Sequence, residues 1–159
     1  MDALVMYDSV FGNTEKVAVA IGEGLATKLK TETKRFKDVE VNQIKDVKLF
    51  VVGSPTRAFR ATPELVKFLK SLPPKSLEGV KIAGFDTRVS QEQIDSKFLT
   101  TMVKIFGYAA EPICKRLMKK GGSEIADPEG FYVGGTEGPL LDGELERAKE
   151  WGAKLAEHI

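Results

Sequence analysis

Leu49-Phe50-Val51-Val52 is apolar at four consecutive positions and is followed at once by Gly53-Ser54-Pro55. A strand with one wet face alternates apolar and polar side chains. A short run without alternation belongs to a strand covered on both faces, the condition of a parallel sheet with helices above and below it. Ala3 to Tyr7 and Val80 to Phe85 read as two further strands of the same sheet. Helical spacing fills the intervals. Val17, Ile21, Leu25 and Leu29 repeat every four residues along a helix expected over Thr14 to Leu29, and Leu65, Phe68, Leu69 and Leu72 mark another. Strands that alternate with helices make an α/β fold.

The second of these helices carries its own boundaries. Thr62 is placed to cap it, Pro63 occupies its first position, Glu64 suits the positive end of its dipole, and Pro73-Pro74 stops it. Thr31 to Phe36 is a polar strand suited to a sheet edge. Gln91 to Phe106 and Pro112 to Lys120 read as helical pieces, the second closed by Gly121-Gly122. A fifth strand is expected within Ser123 to Val133, interrupted at Asp127-Pro128-Glu129-Gly130, and a last helix from about Leu141 to Ile159. Five strands and about five helices make a three-layer sandwich, with any ligand at the carboxyl ends of the strands.

Composition narrows the function classes. A chain of 159 residues is expected to form one domain over 1–159, and at 42% hydrophobic and 30% charged residues it is a globular sequence. The net charge of +1 gives no support to a nucleic-acid partner. The single cysteine, Cys114, excludes an internal disulfide and points to a reducing compartment; with only one histidine, His158, a zinc or haem site is not expected. No stretch approaches the roughly 18 apolar residues of a membrane span. A cytoplasmic location is the expectation.

The first strand runs directly into Asp8-Ser9-Val10-Phe11-Gly12-Asn13-Thr14 and then a helix. Backbone N–H groups converge at a helix start, and the dipole favours negative charge there. Ser9 and Thr14 add hydroxyls, Gly12 lets a phosphate come close to the backbone, and Asn13 starts the helix. The loop has no lysine and no Gly-x-Gly-x-x-Gly, so it is neither a Walker loop nor a dinucleotide fingerprint, and a monophosphate fits it better than a triphosphate. The same residues also make an ordinary helix cap without a ligand.

Ser9-x-x-Gly12-Asn13-Thr14 after the first strand resembles the phosphate loop of flavodoxins. Gly53-Ser54-Pro55-Thr56 is similar to that family's second flavin loop, in the form found in flavodoxin-like quinone reductases and flavoprotein oxidase domains. The resemblance covers essentially the whole chain. It implies a flavodoxin-like sandwich with a five-stranded parallel sheet of order 2-1-3-4-5, and FMN as cofactor. It implies that Ser9, Val10, Phe11, Gly12, Asn13 and Thr14 hold the phosphate. Pro55, Thr56, Arg57, Ala58 and Phe59 would then meet one side of the ring, while Asp86, Thr87 and Arg88 approach its other end. Phe11 stands where the family has a hydroxyl, Ala58 stands where a glycine is frequent, and the chain lacks the strong acidity of many flavodoxins.

The implied role is electron transfer between redox partner proteins that dock transiently. A second reading is an NAD(P)H-dependent FMN oxidoreductase acting on quinone-like acceptors, whose site a second subunit of a homodimer would complete. A third is a flavin-free interaction module. Phospho-receiver chemistry is excluded, because Gly53-Ser54 stands where a receiver needs an acidic residue. Arg57, Arg60 and Arg88 lie in or beside the expected ligand loops, each able to reach a phosphate, the flavin edge or an acidic partner.

Overall fold

Strand β1 (Ala3–Tyr7) is buried at every position and pairs in parallel on both sides, with β2 (Thr31–Arg35) and β3 (Leu49–Pro55). In this computed structural model, residues 1–89, 97, 101–102, 104 and 107–159 are described. Strand β4 (Lys81–Val89) pairs with β3, also in parallel. The expected fifth strand is two pieces, β5 (Ser123–Glu124) against the start of β4 and β6 (Glu129–Val133) against its end. The order β2-β1-β3-β4-β5, with β6 beside β4, is the expected parallel arrangement with one added strand. Pro128 has no amide hydrogen to give a ladder, and pairing resumes only at Glu129.

Helices cover both faces, as the uninterrupted apolar strands require. Leu4, Met6, Phe50, Val52 and Ile82 share one core with α3 (Pro63–Ser71) and α4 (Ala110–Lys119); a one-turn α2 (Val41–Ile44) adds Ile44. Ala3, Val5, Leu49, Val51, Ala83 and Phe85 share the other with α1 (Asn13–Leu25) and α5 (Glu144–Ala156). Trp151 of α5 is half-buried and packs edge-on against Phe85 and Phe131. Cys114 lies in the first core, where burial pushes its thiol up to about 12, so it behaves as a small hydrophobe.

Several element ends differ from expectation. Helix α1 stops at Leu25, four residues short of Leu29, although Leu29 still packs against the core. Helix α5 starts at Glu144, and Leu141 and Leu145 are exposed. The Glu144 carboxylate accepts the Tyr132 N–H at 2.7 Å and pairs with Arg147, which ties the start of α5 to β6. Burial works against its ionisation, but Arg147 and the Tyr132 N–H prevail and hold it below the ordinary range. Strand β4 runs on to Val89, so Phe85-Asp86-Thr87-Arg88 is strand rather than loop. Pairing with β6 at Phe85 to Val89 supplies the hydrogen bonds that extend it. The helix expected over Gln91 to Phe106 lies almost entirely outside the described residues. Among the described residues no helix is long and apolar enough to cross a membrane.

Register fixes where the site must be. Tyr7 is beside Gly53, and Gly53 is beside Phe85, so the chain leaves β1, β3 and β4 at the same end of the sheet. On the α1–α5 side the two helices approach at backbone distance. A Cβ on Gly152 would lie 2.2 Å from the Ile21 carbonyl oxygen, and one on Gly24 would lie 2.0 Å from that of Lys149. Alanine is the better helix former by about 1 kcal/mol. The clash is with backbone that cannot step aside, and overpacking costs about 1–3 kcal/mol. Gly152→Ala is therefore expected to lower the urea midpoint of unfolding. A raised midpoint would show that the helices separate freely.

Candidate functional site

The chain turns sharply out of β1 at Asp8, and the turn is held from beneath. The Asp8 carboxylate accepts the Ser9 N–H at 2.9 Å through Oδ1 and the Thr62 hydroxyl at 2.6 Å through Oδ2; Arg35 Nε stands 3.6 Å from Oδ1. Arg35 also donates to the Ser9 carbonyl. Thr62 does sit at the N-cap of α3, but its hydroxyl goes to Asp8 and not to its own helix. Ser9 Oγ accepts from Gly12 N at 3.1 Å and Glu15 N at 3.4 Å. Gly12 has φ +92°, a left-handed conformation that favours glycine, and α1 begins one residue later without a side-chain cap.

The consequence is a set of free donors. Among the described residues, the N–H groups of Val10, Phe11, Asn13 and Thr14 meet no acceptor, and they belong to one loop and the first turn it feeds. These are the orphan amides of a helix N-terminus, the natural seat of an anion. Thr14 Oγ1 and Thr87 Oγ1 are 2.8 Å apart. Two hydroxyl protons serve that single bond, so one is left to donate elsewhere. Asn13 Nδ2 donates to the Glu137 carbonyl at 3.0 Å, which brings the segment after β6 against the loop.

The second wall follows β3. Thr56 N donates to the Thr87 carbonyl at 2.9 Å, and Thr56 Oγ1 accepts from Ala109 N at 3.1 Å. Arg57 and Arg60 then exchange backbone hydrogen bonds of 2.7 and 3.0 Å around Ala58 and Phe59. Both central residues have positive φ, +48° and +67°. Such a tight turn ordinarily uses Asn or Gly. Two side-chain-bearing residues held this way carry backbone strain, which collects at ligand-binding loops. The Arg57 guanidinium lies 5.5 Å from the Phe11 ring centroid and joins the two loops.

The third wall redistributes the roles expected at Asp86, Thr87 and Arg88. Thr87 faces Thr14, as its hydroxyl contact shows. Asp86 is fully buried. Its carboxylate accepts from Arg88 Nε at 2.6 Å, Arg88 Nη2 at 2.7 Å and Ala110 N at 2.9 Å. Burial is the largest influence on Asp86 and pushes its carboxyl above the ordinary value, against the opposing pull of Arg88 and the Ala110 N–H. The Arg88 guanidinium is also 3.7 Å from the Tyr108 ring centroid. Arg88 therefore lines the cleft with its charge already matched, and Asp86 supports it from inside the fold. Tyr108 was not legible as a partner, since nothing in its local sequence announces a contact with a strand twenty residues earlier.

These walls enclose a cleft of about 180 Å³. Val10, Phe11, Asn13 and Thr14 contribute from the first loop, Pro55 to Ala58 from the second, and Thr87 to Val89 from β4. Val133, the last residue of β6, and Thr136 beyond it close the cleft and had no signal in the sequence beyond a strand end. Phe59 lies outside this lining. Val10 and Phe11 are half exposed, apolar residues at the mouth of a polar loop, as a flat apolar ligand needs. Among the described residues no group of His, Cys, Asp and Glu is placed to hold a metal.

The chain belongs to the flavodoxin family, whose model matches residues 5–151. Flavodoxins bind FMN and transfer electrons to redox partners. A flavodoxin from the domain Archaea superposes with a TM-score of 0.78 at 26% identity, covering 99% of this chain and 98% of that one. Flavodoxin 2 from Bacillus cereus gives 0.78 at 19% identity, with full coverage of both chains. Rubredoxin oxygen:oxidoreductase from Desulfovibrio gigas gives 0.72 at 19% identity, where this chain covers 35% of the longer protein. The uncharacterized protein MJ0732 of Methanocaldococcus jannaschii is 38% identical over 73 residues, and the match spans 18% of that protein.

The Asp86–Arg88 pair gives the site a pH signature. Arg88→Met strands a buried carboxylate, which costs about 3–5 kcal/mol near neutral pH. A carboxyl whose folded pKa is raised binds a proton in the native state that the unfolded state gives up, so stability rises as pH falls. The variant's deficit in urea unfolding is expected to shrink between about pH 7 and pH 5. A deficit that is equal at both values would mean Asp86 is not the group left uncompensated.

Proposed function

We propose that this chain holds one FMN across the loops at 9–14, 55–59 and 86–88 and serves as an electron carrier between redox partner proteins. The observation that carries the reading is the group of acceptor-less N–H donors on Val10, Phe11, Asn13 and Thr14, gathered at a helix N-terminus beside an apolar-lipped cleft. These donors match a phosphate in charge and in hydrogen-bond sense. Family membership supplies the identity of the phosphate bearer.

The residues divide the work by chemistry. Ser9 shapes the loop by accepting from Gly12 and Glu15, and Gly12 supplies the left-handed turn. Thr14 offers a hydroxyl to the phosphate while Thr87 holds it in place. Pro55, Thr56, Arg57 and Ala58 form one wall for the ring, with Phe59 behind the turn. Thr87 and Arg88 form the facing wall, and Asp86 positions Arg88. Bound FMN supplies the redox chemistry itself, and the protein supplies binding, orientation and electrostatics.

Titration of the purified chain with FMN is expected to give a bound-flavin spectrum at about one equivalent, and riboflavin, which lacks the phosphate, to bind far more weakly. Thr14→Val keeps the side-chain volume and removes the hydroxyl. A hydrogen bond to a charged group contributes about 1.5–3 kcal/mol, so FMN affinity should fall roughly 10- to 150-fold. Riboflavin affinity should hardly change; equal losses for both would make Thr14 a fold residue rather than a phosphate ligand. NADPH added alone in the absence of oxygen leaves the flavin oxidised if the chain is a carrier, and bleaches it if the chain is a reductase.

A further inference from the structure

Beyond the cleft, the turn at Arg57–Arg60 has a second side. There it borders a groove of about 930 Å³ between α3 and α4, and Ala58 lines both the cleft and the groove. The groove floor is apolar, with Val66 from α3 and Pro112 from α4 above the buried Ile113. Its rim is cationic: Arg60 from the turn, Lys67 and Lys70 from α3, and Arg116 from α4. Among the described residues no acidic residue lines it. Among the described residues, none of these four cations has a carboxylate partner. Some exposed lysines elsewhere are matched, as in Lys115–Glu111 one turn away, Lys149–Glu23 and Lys28–Glu157. The chain as a whole is nearly neutral at +1, so this rim is a local excess and not a share of a general one.

We infer that this groove is the docking face for a small acidic one-electron carrier protein, whose apolar contact patch meets Val66 and Pro112 while its carboxylates meet Arg60, Lys67, Lys70 and Arg116. The inference rests on the flavin reading for its purpose. Each productive encounter oxidises the carrier by one electron and reduces the bound flavin by one, with any proton taken from water. An apolar floor inside a charged rim is the anatomy of a protein contact. Complementary rim charges act chiefly on the rate of encounter, by roughly 10- to 1,000-fold, and that gain falls steeply with salt. The position serves transfer, because a partner seated here lies one tight turn from the flavin wall at Arg57 and Ala58.

The test uses the double variant Lys67→Glu/Lys70→Glu. Both lysines are exposed on α3 and take no part in the cleft, so folding and FMN affinity are expected to match the unaltered chain. An acidic ferredoxin is the probe, cytochrome c is the basic counterpart, and dithionite reports flavin competence without docking. Reduction of the FMN-loaded chain by reduced ferredoxin should slow at least about 10-fold in the variant and should slow with added salt in the unaltered chain. Dithionite reduction should stay the same. Ferredoxin binding is also followed by NMR on the chain with and without FMN, with shifts expected along α3 and α4. If no FMN binds, the flavin reading fails by itself, and salt-sensitive shifts on the flavin-free chain still uphold the groove. Rates and shifts indifferent to both salt and charge reversal would overturn the inference, as would tighter binding of cytochrome c than of ferredoxin.

Discussion

One buried carboxylate holds the ligand end of this sheet together. Asp8 stands where β1 stops, and its two oxygens receive the backbone of the loop that follows and the hydroxyl that opens α3, with the Arg35 guanidinium at the end of β2 alongside. Three segments far apart in the chain therefore meet on one side chain. A carboxylate taken out of water demands this many partners, and a half-satisfied one would cost more than an apolar residue. The knot takes up the Ser9 N–H and holds the turn, while the amides of Val10, Phe11, Asn13 and Thr14 stay without an internal acceptor.

The second constraint is register. Because Tyr7, Gly53 and Phe85 lie side by side in parallel strands, the chain emerges from all three at one level. Gly53 is required for this, since a Cβ there would lie 2.0 Å from the Phe85 ring. Thr56 and Thr87 then bind through backbone at the lip of the sheet, and the positive φ angles of Ala58 and Phe59 are carried by a turn pinned at both ends. A loop free to relax would not keep two such residues strained.

What was legible in the sequence is what depends on neighbours in sequence. The apolar runs, the four-residue helical spacings and the loop Ser9 to Thr14 each signal through residues close together, and the strand order followed from the resemblance those loops carry. Long-range partners were not legible. Thr62 reads as a helix cap by every local criterion, yet its hydroxyl crosses to Asp8, 54 residues away. Asp86 and Arg88 read as ligand-facing loop residues because nothing local shows that β6 will pair with Phe85 to Val89 and extend the strand through them. Leu141 and Leu145 fit the apolar face of the last helix by spacing, but α5 begins only at Glu144, and its close approach to α1 runs through Gly24 and Gly152, with Leu141 and Leu145 left exposed.

Arg35, Arg88 and Arg147 at the ligand end and beside β6 each meet a carboxylate of the fold, whereas Arg57 and the rim of the groove meet none among the described residues. The loop at 9–14 contains no lysine or arginine, and the attraction proposed there for an anion comes from backbone dipoles fixed by the turn. Two electrostatic tasks are thereby assigned to different atoms. Fixed amides in a partly enclosed loop are little screened, and they need no side-chain reorganisation to receive a phosphate. Exposed lysines and arginines are strongly screened and mobile, properties that suit a partner that must arrive fast and leave again. A lysine in the loop would have blurred the division, because its charge would bind cofactor and partner alike. With the loop neutral in its side chains, charge changes at the groove rim would leave the proposed hold on the cofactor unaltered.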